Sequence, residues 1–182
     1  MNIFYLHENP KICAQYHVDK HCVKMIVETC QLLSSAHRYL DGHEIVGQTR
    51  TGRKAKRWVL PDYRETQLYH ATHINHPSTV WTRESKANYQ WHYKHFIALC
   101  DEYTYRYGKV HSTDTKLRIA LQQIPTNIPE KHMTPFKLAM GSNPECMLED
   151  AVESYRRFYE TKQKRFTMVW TKRPVPKWFN AI

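Results

Sequence analysis

From Ile12 to Leu40 apolar residues recur at Val18, Cys22, Met25, Ile26, Leu32, Leu33 and Ala36, which follows the 3.6-residue period of a long amphipathic helix. Asp41-Gly42 stops the pattern, since glycine readily takes the left-handed conformation that ends helices. A second long helix is predicted from Pro77-Ser78, where proline suits a first turn, through Val80, Trp81, Tyr89, Trp91, Phe96, Ile97 and Cys100 to Gly108. A shorter helical stretch is predicted near Lys116 to Gln123. The last helix is predicted from Met147, Leu148, Ala151, Val152, Tyr155, Phe158 and Tyr159. Residues 2–6 alternate around Ile3, Phe4 and Tyr5 and predict a short strand, packed as an edge piece because one strand cannot form a sheet alone.

Between these elements the pattern fails in two places. Residues 43–62 carry two glycines and no apolar period, close at Pro61, and read as a mobile basic loop. Pro125, Pro129, Pro135 and Pro144 punctuate residues 124–145, which read as irregular. The tail from Trp170 is stiffened by Pro174 and Pro176 and ends on Trp178-Phe179. No internal repeat or low-complexity tract occurs. The predicted architecture is mainly α: one compact helical bundle over residues 1–182, with a short N-terminal strand and an irregular C-terminal segment.

Composition changes this picture in one direction. Lys+Arg 27 against Asp+Glu 17 gives a net charge of +10 with the histidines neutral, which favours a polyanionic partner. Aromatics at 13%, twelve of them Tyr, add faces on which bases can stack. No apolar run approaches the ~18 residues of a membrane span, and the N-terminal residues lack a signal-peptide pattern, so a cytoplasmic protein is expected, the host cytoplasm if the chain is phage-encoded. Cys13, Cys22, Cys30, Cys100 and Cys146 are odd in number and scattered, which predicts reduced, mostly buried thiols and neither a disulfide framework nor a zinc ribbon.

Opposite the apolar stripe of the first helix stand His17, Lys20, His21, Lys24, Glu28 and Gln31, at i, i+3, i+4, i+7, i+11 and i+14. Two histidines, two lysines and a single carboxylate on one side suit an active-site floor; a plain exposed face with a Lys24–Glu28 pair is the alternative. His17 and His21 also have the spacing of a helical zinc pair, and His73/His76 and His92/His95 add two more. The zincin pattern, however, needs Glu directly after the first His, where Val18 stands, and no metal or other cofactor is expected. Arg50, Arg53, Lys54, Lys56 and Arg57 beside Trp58 combine phosphate donors with a stacking ring, which points to DNA; a solvated basic loop is the alternative.

The run Asp19-Lys20-His21-Cys22-Val23-Lys24-Met25-Ile26-Val27-Glu28-Thr29-Cys30-Gln31 resembles the helix Asp-Arg-Arg-Leu-Gly-Lys-Gln-Arg-Val-Glu-x-Leu-Gln of the pyrimidine-dimer DNA glycosylase superfamily. This is the phage endonuclease V type, and the likeness is to its longer bacterial and phage branch. Asn75-His76-Pro77-Ser78-Thr79-Val80-Trp81 and Cys100-Asp101-Glu102-Tyr103 are similar to that branch's His-His-Pro-Ala-Val-x-x-Trp and Cys-Asp-Glu-Trp. The resemblance covers most of residues 1–107. It implies a DNA glycosylase with AP-lyase activity, Glu28 at the catalytic carboxylate and His21 at a site histidine. Asn2 is too large for efficient removal of Met, so the attacking amine would be that of Met1, unless Lys24 or Lys20 takes the role. DNA contacts are then expected from His17, Lys20, His76 and the 50–58 loop. Two other readings remain open: a non-catalytic DNA-binding or host-interaction protein, and a metal-dependent nuclease using the histidine pairs. Oligomeric state is not legible.

Overall fold

The computed structural model describes residues 1–49 and 51–181. Its helices are α1 (Pro10–Tyr16), α2 (Asp19–Asp41), α3 (Arg64–Gln67), α4 (Pro77–Glu84), α5 (Lys86–Tyr107), α6 (Ser112–Gln122) and α7 (Ala151–Glu160). A two-stranded antiparallel hairpin, β1 (His43–Gln48) and β2 (Lys54–Val59), completes the described elements, apart from short 3-10 turns at Pro144–Cys146 and Thr161–Lys164. The mainly α reading therefore holds. Helices α2 and α5 pack together at the centre; α1 covers α5, α4 lies against both, and α6 closes the side of α2. No described helix is long and apolar enough to cross a membrane. All five cysteines are buried and free.

Each of the two long predicted helices is broken once, the first by tertiary contacts. The run expected over residues 12–40 stops at Tyr16 and restarts at Asp19, with His17 and Val18 extended. Tyr159 on α7 accepts the Val18 N–H at 2.9 Å, and the Val169 carbonyl accepts the Asp19 N–H at 2.8 Å. Amides that would continue the helix are thus taken by distant parts of the chain. The run expected over 77–108 is broken at Ser85, which is extended and caps α5 by accepting from the Asn88 N–H at 3.0 Å.

The N-terminal strand does not form. Ile3, Phe4, Tyr5 and Leu6 are buried, as the apolar pattern required, but no second strand lies beside them. Instead the Asn2 side chain accepts from the amides of Ile3 and Phe4, and Cys13 Sγ accepts from that of Leu6. Phe4 sits at φ 56°, in the left-handed region that a bulky residue enters only under constraint. The segment expected as a mobile loop at 43–62 is the hairpin, paired from His43↔Val59 to Gln48↔Lys54, with α3 starting shortly after it. Its apolar residues are few because much of it faces solvent, which is why no period was visible. Residues 124–145 are irregular as predicted, up to the 3-10 turn at Pro144. Helix α6 begins at Ser112, earlier than expected, and α7 at Ala151, later than Met147, because Asp150 caps it by accepting from the Glu153 N–H at 2.7 Å.

Candidate active site and nucleic-acid interface

At the N-terminal half of α2 the chain's first residues meet the predicted polar face. Glu28, whose side chain is 12% exposed, takes the Asn2 N–H on Oε2 at 3.0 Å and Lys24 Nζ on Oε1 at 3.0 Å. Asn2 is held there in turn, because its side-chain amide donates to the Ala139 carbonyl at 2.9 Å. His76, the residue that caps α4, stands close enough to feel both the α-amine of Met1 and Glu28. Burial lowers its pKa first, the α-amine and His73 lower it further, and Glu28 opposes them. Met1, Lys24, Glu28 and His76, scattered in sequence, thus converge on one place.

Adjacent to it, Phe4, Lys20, His21, Lys24, Lys162, Arg165 and Phe166 line a groove of about 320 Å³. Its cationic character is uneven in origin: Lys20 and Lys24 come from α2, whereas Lys162 and Arg165 come from the turn after α7. Lys162 Nζ lies 3.4 Å from the Phe158 ring centroid, and Lys20 Nζ lies 5.0 Å from that of Phe166. Burial, reinforced by Arg165 and Lys24, lowers the Lys162 pKa. This lysine was not singled out from the sequence, although the run Lys162, Lys164, Arg165 was a visible signal.

His21 forms the back wall of the groove and is largely buried, stacked on Phe4 at 4.9 Å between centroids. Tyr159 Oη accepts from Val18 and lies 2.8 Å from His21 Nδ1, so we assign the tyrosyl hydrogen to that nitrogen and the histidine's own hydrogen to Nε2. Burial, then Lys24, Lys162 and Arg165, push the His21 pKa down to about 4, which keeps it neutral at pH 7. A neutral Nε2–H is a hydrogen-bond donor, suited to a phosphate or a leaving base.

His17 departs from expectation. It lies outside α2, is completely buried, and turns toward His95 on α5, 5.3 Å between centroids. It therefore cannot touch DNA, and the helical His17/His21 zinc pair does not exist, because the chain breaks between them. The basic hairpin is a separate surface. It leaves α2 at Gly42, fourteen residues beyond Glu28, about 20 Å at the helical rise. Arg53 and Lys54 are exposed; Lys56 is exposed but paired with Glu44 at 2.8 Å; Arg57 folds back onto the Gln48 carbonyl. Gly47 permits that fold, since a Cβ there would meet Arg57 Cδ at 2.9 Å. Trp58 lies against Tyr39, 6.0 Å between centroids, and is only partly exposed. Arg50 lies outside the described residues.

A larger cleft of about 480 Å³ runs between α1 and α5. Its Glu102 and Arg173 bond each other, at 2.9 Å, and its Asp101 pairs with Arg118, so its acids are already engaged. The convergence of an amine, a carboxylate and a histidine lies beside the smaller groove, whose Lys24 pairs with Glu28. Neither a family model, nor a curated protein, nor a solved structure matches this chain.

Proposed function

We propose that the chain is a DNA glycosylase with AP-lyase activity, working at the Met1–Glu28–His76 cluster. The observation that carries the reading is the Asn2 N–H on the Glu28 carboxylate, which pins the start of the chain, and with it the α-amine of Met1, beside a carboxylate and a cationic groove. In this reaction the amine nitrogen bonds to the sugar C1′ while the C1′–base bond breaks, its electron pair leaving with the base, which takes up a proton. The nitrogen loses a proton and the C1′–O4′ bond breaks, O4′ taking up a proton, so the opened sugar stays bound to the amine as an iminium. Removal of a C2′ proton then expels the 3′ phosphate, and water returns the amine.

Each neighbouring residue has a defined part. Glu28 stabilises the cationic sugar and moves protons, and Lys24 holds that carboxylate in place. Lys20, Lys162 and Arg165 neutralise phosphates along the groove, and His21 donates from Nε2. Phe166, half-buried at the groove's edge, offers a ring face to a base taken out of the stack. Lys162, half-buried over the Phe158 ring with a lowered pKa, is the competing amine.

Borohydride trapping on duplexes that carry an abasic site, uracil or a pyrimidine dimer tests the reading. The expected result is a covalent adduct on the peptide that begins at Met1; an adduct on Lys162 or Lys24 would reassign the nucleophile within the same chemistry. Glu28→Gln keeps the side chain's volume and its contact with Asn2, and is expected to lower excision by about 100-fold or more while binding survives. Tight binding without any adduct on all three duplexes would favour the non-catalytic DNA-binding reading.

A further inference from the structure

Behind the groove, at the seam between α1 and α5, Cys13 Sγ and one ring nitrogen each of His17 and His95 lie within 4.8 Å of one another. All three residues are completely buried. Cys13 lies on α1 and His17 is the residue that caps its end, while His95 reaches them from α5. Both histidines point a specific nitrogen inward. His17 Nδ1 lies 2.8 Å from the Cys13 carbonyl and His95 Nδ1 lies 3.2 Å from the Pro10 carbonyl. A carbonyl can only accept, so each Nδ1 carries the hydrogen and each Nε2 keeps a bare lone pair. Neither Nε2 has a hydrogen-bond partner among the described residues.

Two bare imidazole nitrogens in one buried cluster with a thiol, their opposite ring nitrogens held by backbone carbonyls, form the arrangement that orients histidine ligands around a metal. We propose that Cys13, His17 and His95 bind a zinc ion. The donor set suits zinc, which takes thiolate sulfur at about 2.3 Å and imidazole nitrogen at about 2.0–2.1 Å. Tetrahedral geometry puts such donors roughly 3.5 Å apart, so the three atoms close in by about 1 Å on binding. Zn²⁺ displaces the thiol proton, which leaves to solvent, and a Zn–S bond forms; no electron is transferred. The thiolate is then supported by the Leu6 amide, 3.3 Å from Sγ, and by that of His7.

Electrostatics favour the two imidazoles as ligands and oppose the free thiolate, which the ion itself must stabilise. Burial pushes the Cys13 thiol up to about 12 and His95 down to about 4, and holds His17 well below its ordinary value. In so dry a place the cluster is neutral near pH 7 and the histidines need no proton removed before ligating. Arg106 bears on His17, but Asp19 at 2.8 Å and Glu102 at 2.7 Å neutralise it. The consequence is mechanical: the ion fastens α1 to α5 immediately before the break that starts α2, and so fixes the helix that carries Lys20, His21, Lys24 and Glu28.

The test uses the full chain, reduced, stripped with a chelator and titrated with Co²⁺ or Zn²⁺. One equivalent of cobalt is expected to bind with tetrahedral ligand-field bands and a sulfur-to-cobalt charge-transfer band. Cys13→Ser should abolish the charge-transfer band, His95→Gln should weaken binding at least tenfold, and His76→Gln should change neither. X-ray absorption at the zinc edge of the unmutated protein reads the shell without relying on any variant, and should show one sulfur with at least two imidazoles. A folded wild-type protein that retains no metal after titration would make the cluster a hydrated polar pocket and overturn the assignment. A metal shell lacking sulfur, or one lost with His76→Gln, would overturn it equally.

Discussion

Arg38 shows how much one side chain can organise here. It is 1% exposed, yet it donates to the carbonyls of Tyr69, Trp58, Glu65 and Leu68 and pairs with the Glu65 carboxylate. The guanidinium fork is shared among turns that have no regular backbone partners, so it substitutes for secondary structure between β2 and α4. Arg38→Met is expected to cost about 3–5 kcal/mol, because four carbonyls at least partly shielded from water and one carboxylate lose a buried donor. Arg38→Lys should recover only part of this, with its single ammonium unable to span them. Chemical denaturation at pH 7 measures both; an unchanged midpoint for Arg38→Met would show the network to be ornamental. Nothing in the sequence distinguishes Arg38 from the exposed arginines, since its last-turn position on α2 predicts only a favourable helix dipole.

Elements are bounded here by caps as much as by apolar period. Ser85→Ala removes the acceptor for the Asn88 amide at a completely buried helix start, and is expected to destabilise by about 1 kcal/mol, or somewhat more given the burial. Thermal unfolding reads it, and a rise in midpoint would contradict the capping role. The hairpin carries a prediction that follows from the proposed DNA binding. Arg53 and Lys54 have free exposed charges, whereas Glu44 neutralises Lys56 and Arg57 is folded onto Gln48. Replacing Arg53 and Lys54 together by Ala should therefore reduce the slope of log affinity against log salt by up to about 1.8, at roughly 0.9 per phosphate. Lys56→Ala should change it less. Equal slopes for the double variant and the parent would remove the hairpin from the DNA-binding surface.

Across the whole molecule, five buried histidines impose one pH dependence. Burial is the leading cause of a lowered pKa at His17, His21, His37, His92 and His95, and it brings His21, His37 and His95 down to about 4. His37 shows why: Arg64 Nη1 approaches its Nδ1 at 3.0 Å, so that nitrogen must accept, while Nε2 donates to Tyr89 Oη at 2.7 Å. A second ring proton would face the guanidinium. Because the unfolded chain binds these protons near pH 6.5 and the folded one does not, stability is full above that pH and falls as pH drops from about 6.5 toward 4. Melting in the presence of a chelator should show this acid loss beginning below pH 6.5. A midpoint that stays flat from pH 7 to pH 5 would mean that the histidines charge without unfolding the protein.

The apolar period determined that the protein is mainly helical, roughly where its long helices lie, and which faces they bury, because burial of an amphipathic stripe is a local property of the chain. It also determined the Lys24–Glu28 pair, which helical spacing alone brings together. The break that starts α2 was decided by Tyr159 and Val169, more than 130 residues from the amides they capture, and no window of sequence contains both partners. Residues 2–6 have a strand's pattern and lack a partner strand, so Asn2 and Cys13 complete their hydrogen bonds instead. His17 illustrates the limit most directly. On a continuous helix it would share a face with His21; an extended peptide at Val18 turns it inward to Cys13 and His95, because a side chain's neighbours depend on where the backbone bends.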